Sequence, residues 1–597
     1  MDKPQSTRRR KARRRVMVLL VLCCAVFALF LARLAWLQFA MADHYAQKMA
    51  EAGSASYTLP QHAARGAITD RSGTVLAQDE TVYDVYLRVP APPGTNLRET
   101  VNTIAALTGG KDVETQLAAF CSAVSAGELP VTQGLDSIGA AAYYHAGLVQ
   151  NGAVRLAARG VRRWPDGTIL PHTLGFTGPI TAEQWPAARA QGLAMDTTIG
   201  QNGLEAAYDT LLRGRDGQLQ INVGLDGVTR ETVQTSTPVP GCTLVLTLDA
   251  DLQKTLQTAL QNQMDTLRTT KGIGAGREVR AGAAVVVDVR TGGILAAASL
   301  PDFDLSRYRS DYAALSADST APLLDRVCQG LYAPGSAFKP AVAAAALTAG
   351  IDPAATVNCT GKYFYYSNYH PGCLQYGHRG PVDLRTALEC SCNIFFYDTG
   401  RRLGVDTFSA MARQLGLAND TGVEITAAQG RLTWSTDTNY QDGLTLMAAI
   451  GQGNTAVTPL QLAQYAAALA NYGRKPTLHF ADRAVQPATG AAVWQYEPAF
   501  TEIPGGEAVF GPIRDGMKRM AQTARALREA PVTVAAKTGS PQLADTLPGG
   551  SHYVNSVLIG YAPADDPQIA MAVVLEYGGG GANAAPVMRA VLDAWFE

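Results

Sequence analysis

The sequence is short of charge. Asp, Glu, Lys and Arg make up 17% of its 597 residues and cancel to a formal net charge of -1, so no chain-wide basic character marks a nucleic-acid binder. It has no C-x-x-C pair and no H-E-x-x-H, so neither spacing argues for a metal, and the reading assigns no metal and no cofactor. It also lacks internal repeats and low-complexity tracts, which sets aside solenoids and disordered tails. What it has is apolar length: with 47% hydrophobic residues the chain can bury more than one core, since domains saturate at about 100 to 250 residues. Two extracellular units and a tether are expected.

The tether is at the N-terminus. Lys3, Arg8, Arg9, Arg10, Lys11, Arg13, Arg14 and Arg15 form a basic block, and Val16 to Leu31 is unbroken apolar sequence that continues, past Arg33, to Leu37. That run can cross a bilayer, and positive charge before it keeps the N-terminus in the cytoplasm and puts the bulk outside. Arg33 can snorkel to the interface beside Trp36. The competing readings are a nucleic-acid arm for the basic block and a cleaved signal peptide ending at Ala40-Met41-Ala42; the apolar stretch exceeds the usual signal core. Of the nine cysteines, Cys23 and Cys24 belong to the membrane run. Cys359 and Cys373 bracket a polar, aromatic loop; a disulfide worth about 3 kcal/mol and two thiols both remain open there.

Farther along, Arg65 to Ala77 reads as strand, turn and strand, and a mixed region with turns at Pro165-Asp166-Gly167 and Gly214 to Gly217 extends to about Pro240. Thr243 to Leu248 reads as a strand. Asp249 opens a helix to about Lys271, with Leu252, Leu256, Leu260, Met264 and Leu267 at helical spacing. Hairpins are expected at Ala283–Val289/Ile294–Ala298 and Ser556–Tyr561/Gln568–Glu576, with Ala-rich helical sequence between them. Strands at both ends of a domain and helices in the middle give an antiparallel sheet covered by helices, a three-layer α/β arrangement.

The chemistry centres on Tyr332-Ala333-Pro334-Gly335-Ser336-Ala337-Phe338-Lys339-Pro340. Ser336 and Lys339 sit three residues apart on one helical face, so a lysine amine made less basic by burial can take the hydroxyl proton. The helix start offers an amide to a developing oxyanion. An S-x-x-K alone arises by chance about once in such a chain. Ser391-Cys392-Asn393, where a helix gives way to a loop, adds a second hydroxyl and a carboxamide. Lys537-Thr538-Gly539 closes a strand from Val532 to Ala536, placing an ammonium and a hydroxyl on an exposed edge that can hold an extended peptide and its carboxylate.

These three elements in this order resemble the class B, monofunctional penicillin-binding proteins. Arg65 to Ala77 looks like that family's R-G-x-I-x-D-R-x-G signature. Gly203-Leu204-Glu205, Tyr208-Asp209 and Leu212-Arg213-Gly214 look like its pedestal motif, and Gly451-Gln452-Gly453 with Thr458 to Gln461 like a helix near its cleft. The resemblance implies a transpeptidase domain at 241–597 with a five-stranded antiparallel sheet sandwiched by helices. It also implies a pedestal of dimerisation type at 39–240, mixed α/β and elongated, a membrane anchor at 16–38 and a cytoplasmic tail at 1–15. It implies that Ser336 is acylated with Lys339 as base, that Ser391 and Asn393 line the site, and that Lys537 and Thr538, with Gly539 and Ser540, hold the substrate carboxylate. The oxyanion hole maps to the backbone amides of Ser336 and Ser540.

The expected reaction is D,D-transpeptidation of D-Ala-D-Ala stem peptides of peptidoglycan, with β-lactams as covalent inhibitors. A D,D-carboxypeptidase or β-lactamase and a β-lactam-binding sensor or scaffold are the alternatives. The acidic motif of bifunctional class A glycosyltransferases has no match, so the implied partner is a polytopic SEDS-type glycosyltransferase; no nucleic acid is involved. Ser540 stands where threonine is common and keeps a hydroxyl. Cys392, flanked by Cys390, is read as a buried thiol, His552 as structural, Asp70 and Glu205 as ion pairs of the pedestal, and the Tyr363 to Tyr369 aromatics as loop packing.

Overall fold

The computed structural model describes residues 5–41, 44, 55–92, 94–109, 112–123, 127–223, 229–272, 274–373, 378–548 and 550–597; Lys3 and its neighbours in the basic tail lie outside them. The chain divides into two units, 1–63 with 215–239, and 64–214 with 240–597.

In the first unit a helix runs Gln5–Ala35 and continues as a wider turn, Trp36–Ala40. Its Arg13–Ala40 part is long and apolar enough to cross a membrane. Arg33 lies beside Trp36, 4.4 Å over its ring. The unit also carries a three-stranded sheet with Gly217–Val223 between Ala55–Gln61 and Thr229–Ser236.

Early in the second unit a short strand, Ile68–Thr69, turns back into a long one, Val75–Val89, which also pairs with Gly127–Leu135 and Val154–Arg163. Val85, Leu87, Val101, Ile104 and Tyr143 form its core. Charge is buried beside it. Glu205, fully buried, accepts from Arg65 Nε and Arg162 Nε, each at 2.6 Å, and Arg65 reaches Asp209 at 2.7 Å. Glu205 is thus the ion pair expected. Asp70 is not: its carboxylate accepts from Ser72 N and Thr74 N, both at 2.8 Å, and from Ala250 N at 3.1 Å. It closes its own turn and meets a helix N-terminus, because backbone amides lie nearer to it than any cation described.

That helix, α1 (Ala250–Arg268), is capped by Asp249 and ends three residues before the expected Lys271. Next come β1 (Gly282–Asp288) and β2 (Ile294–Leu300), then α2 (Lys339–Thr348), α3 (Asn393–Leu403), α4 (Pro459–Ala470) and α5 (Gly506–Thr523). The chain closes with β3 (Ala535–Gly539), β4 (Ser556–Ala562), β5 (Ile569–Leu575) and α6 (Ala585–Phe596). The five strands form an antiparallel sheet in the order β2-β1-β5-β4-β3. β4 and β5 are buried at every residue, which is why they read as continuous apolar runs instead of alternating ones.

One face of the sheet meets α1 and α6, through Leu256, Leu260 and Met264 with Val587, Met588 and Val591. α4, started by Thr458 in a capping box with Gln461 and by Pro459, covers the other. This is the helix–sheet–helix sandwich expected. β3 lies at the sheet edge, and α2 begins beside it.

Candidate active site

Gly335–Phe338 forms a tight 3-10 turn that runs straight into α2, and the Lys339 amide donates back to the Ser336 carbonyl. In such a turn residues three apart eclipse one another, so Ser336 and Lys339 share one side. Ser336 is half-buried, whereas Lys339 is fully buried. The turn is gripped from both flanks at glycines. Gly335 N donates to Gly451 O at 2.9 Å, and a Cβ on Gly451 would lie 2.2 Å from Gly335 O. A Cβ on Gly539 would lie 2.2 Å from Pro334 O. Only glycine lets the end of β3 come this close to the Ser336 turn.

The Lys339 amine is held by the second motif. Nζ donates to Ser391 O at 2.8 Å, to Ser391 Oγ at 3.1 Å and to Asn393 Oδ1 at 2.7 Å. The helix before this motif, Leu384–Glu389, gives way to a short turn as expected from the sequence, but only for three residues, since α3 starts afresh at Asn393 with Cys392 as its N-cap. Reversal between two helices forces Ser391 into the left-handed region, φ 55°. Such a backbone costs about 1–3 kcal/mol and persists only where its surroundings fix it. Burial lowers the Lys339 amine to about 8, with Cys392, Cys373 and Cys390 opposing the shift.

The third motif differs from the expectation in register and exposure. Pairing with β4, Ala535 to Tyr561 and Gly539 to Val557, begins the strand at Ala535, so Lys537-Thr538-Gly539 lies within it and not after it. Alternation along the strand then separates neighbours. Thr538 faces the cleft, while Lys537 is fully buried and donates to Ser391 Oγ at 3.0 Å. Burial and the Lys339 charge push the Lys537 amine well below its ordinary value. Two amines thus converge on one hydroxyl from beneath the cleft floor.

The cleft itself, about 310 Å³, is lined by Ser336, Ser391, Asn393, Thr538 and Ser540. All three motifs therefore open onto one space. Tyr369, Tyr397, Met447, Gln452 and Gln542 are among its other wall residues; Tyr397, Met447 and Gln542 were not singled out from the sequence, whereas Gln452 lies in the Gly451 to Gly453 segment already placed near the cleft and Tyr369 in the aromatic loop. Of the aromatic loop, Tyr363 is buried against Asp398, but Phe364 and Tyr365 are exposed and Tyr369 reaches the cleft, so loop packing accounts for only part of it. His552 sits exposed on the hairpin Gln542–Thr546/His552–Val554.

Behind the Ser391 turn lies a second cluster. Cys359 and Cys373 are thiols, not a disulfide, and with Cys392 and His378 they bring four ligand atoms within 4.8 Å of one another. Three sulfurs and an imidazole, largely buried, are the donor set of a structural zinc site. The fit is supported by Cys373 Sγ, which lies 3.6 Å from His378 Nε2 and accepts from Asn393 N at 3.4 Å. Neither spacing sought in the sequence connects these residues, because they come from a strand end, Cys359, a helix N-cap, Cys392, and the segment that carries Cys373 and His378.

Comparison with known proteins places the whole arrangement. Residues 282–593 match the penicillin binding protein transpeptidase domain, and residues 60–246 match the penicillin-binding protein dimerisation domain. The chain is 29% identical to the peptidoglycan D,D-transpeptidase MrdA of Acinetobacter baumannii over 90% of its own length and 81% of the relative's. It is 26% identical to MrdA of Escherichia coli over 90% and 87%. A chain solved in work on a peptidoglycan synthase complex that coordinates polymerization and crosslinking superposes with a TM-score of 0.74 at 28% identity, covering 98% of both chains. PBP2 from Helicobacter pylori, solved with MreC, shares the fold at 23% identity, with a TM-score of 0.74 over 91% of this chain and 99% of that one. The chain belongs to the penicillin-binding proteins and is a class B member of that family, a peptidoglycan D,D-transpeptidase.

Proposed function

We propose that Ser336 is the nucleophile of this transpeptidase and Lys339 its base. The observation that carries the reading is a fully buried amine, lowered to about 8 and ringed by oxygen acceptors, directly behind a cleft onto which a serine from the same turn opens. In the neutral form Lys339 takes the Ser336 proton as Oγ attacks the carbonyl of the penultimate D-Ala. The tetrahedral oxygen is met by the backbone amides of Ser336 and Ser540. The C–N bond then breaks, D-Ala leaves with the proton, and an amine of a neighbouring stem peptide resolves the ester by the reverse sequence.

Thr538 and Ser540 meet the substrate carboxylate from the cleft wall, while Lys537 acts from beneath by holding Ser391. Ser391 Oγ lies between the two amines and relays protons; Asn393 holds Lys339 and the peptide backbone. A β-lactam presents the same carbonyl and carboxylate, and its ring nitrogen stays tethered after opening, so the ester persists. Cys359, Cys373, His378 and Cys392 would hold zinc, which when bound supplies a fixed anchor for the loops that carry it.

The Arg13–Ala40 helix is a single-pass anchor in the plasma membrane with its basic end in the cytoplasm and the catalytic bulk outside. A SEDS-type glycosyltransferase supplies the glycan strands. The likeness to a chain from a peptidoglycan synthase complex supports that partnership.

Mass spectrometry after incubation with penicillin tests the reading. The adduct is expected on the peptide containing Ser336 and absent from Ser336→Ala. An adduct elsewhere overturns the assignment, and rapid release of hydrolysed penicillin would make the protein a hydrolase.

A further inference from the structure

The Ser391 turn is strained, and besides the two lysines, what holds it includes the cysteine cluster and the segment that carries it. Cys392 N donates to Ala387 O at 2.9 Å, and Asn393 is tied to the neighbouring segment twice, through N to Cys373 Sγ at 3.4 Å and through Nδ2 to Gly372 O at 3.3 Å. Cys392, the middle residue of Ser391-Cys392-Asn393, is itself one of the four donors. Whatever occupies the cluster therefore sets where Ser391 and Asn393 stand, and these two hold the Lys339 amine. Three of the four donors are thiols in a chain whose catalytic bulk is assigned to an oxidising compartment. They have two mutually exclusive fates, as ligands of one metal ion or as a disulfide. The second draws two sulfurs to about 2.05 Å of each other and pulls the turn with them.

We infer that the zinc-bearing cluster of Cys359, Cys373, His378 and Cys392 is a clamp on the Ser391–Asn393 turn that oxidation opens, shutting down acylation at Ser336. The inference rests on the reading of Ser336 as nucleophile. With hydrogen peroxide as oxidant, one thiolate sulfur attacks a peroxide oxygen, the O–O bond breaks, and a sulfenic acid and hydroxide form. A second thiolate attacks that sulfur and expels a second hydroxide. Two protons convert both hydroxides to water, two electrons have passed from sulfur to oxygen, and zinc departs still divalent.

The test uses the full chain in detergent, loaded with zinc and then treated with hydrogen peroxide. Expected are release of bound zinc to a chromogenic chelator, a disulfide joining two of Cys359, Cys373 and Cys392 by peptide mapping, and a fall of about tenfold or more in the rate of penicillin acylation. Thiol reductant with added zinc restores the rate. The double variant Cys359→Asp with Cys373→Asp keeps four metal donors but only one thiolate in the cluster, and should retain zinc and acylation under peroxide. The inference is overturned if peroxide leaves the zinc in place, if acylation survives zinc release, or if the double variant loses acylation as the native chain does. A native protein that takes up no penicillin before oxidation instead defeats the reading of Ser336, while zinc release and disulfide mapping still decide the chemistry of the cluster.

Discussion

Among the charged side chains buried in the second unit, two groups are built on opposite principles. In the pedestal, Arg65 and Arg162 face Glu205, Asp79 and Asp209, so every cation has carboxylates against it at 2.6 to 3.3 Å. In the cleft floor, Lys339 and Lys537 meet hydroxyl, carbonyl and carboxamide oxygens and each other's field, and both amines lose basicity. The pairing keeps the pedestal groups charged and makes them a joint between the Arg65 segment, the long strand's neighbour Val154–Arg163 and the Gly203 helix. The lack of counter-charge leaves both lysines less basic than an exposed amine, as the proposed role of Lys339 requires. Burial alone does not tell scaffold from chemistry; the sign and charge of the neighbours do.

The sharpest way to break this contrast is Lys339→Met. Penicillin acylation should fall about a thousandfold, while thermal unfolding shows the variant no less stable, because an unpaired buried amine costs stability. Glu205→Ala should do the reverse. Denaturant unfolding should show a loss of about 3 kcal/mol, because Arg65 and Arg162 lose their shared, fully buried carboxylate and keep only Asp209 and Asp79, with the acylation rate of the folded fraction nearly unchanged.

The pH profile of native acylation sharpens the cleft side of the comparison. Lys339 accepts a proton only when neutral, so below about pH 8 the rate should rise about tenfold per pH unit, and above it level off. The stability gain of Lys339→Met should be full below about pH 8 and vanish as pH rises toward the unfolded value of 10.5, because only the charged amine resists burial. The smallest effect is expected from Arg163→Ala, whose pair with Glu80 is exposed on both sides. Unfolding should change by less than about 1 kcal/mol, showing that an ion pair of the same kind matters in the pedestal only where it is buried.

Much of the site was legible because each motif is local. Ser336 with Lys339, Ser391 with Asn393, and Lys537 with Thr538 are placed by a turn, a helix start and a strand, whose geometry follows from a few residues. The sheet was legible as well, since its apolar strands and hairpin turns are written in short segments. What failed to show was set by tertiary pairing. The register of β3 comes from β4, and with it the burial of Lys537. Tyr397, Met447 and Gln542 reach the cleft from separate elements, and Cys359, Cys373, His378 and Cys392 become neighbours only once their loops fold together. Asp70 shows the same limit: its partner Ala250 lies 180 residues away.

Gly539 has a consequence for how this enzyme could adapt to a new inhibitor. With no room for even a methyl group between β3 and Pro334 O, the spacing of the Ser336 turn and the Thr538 edge is fixed by main chain against main chain. Variation that alters drug affinity has no purchase at that contact and must act through replaceable wall residues such as Met447, Gln452 and Gln542, which shape entry without moving the reacting groups apart.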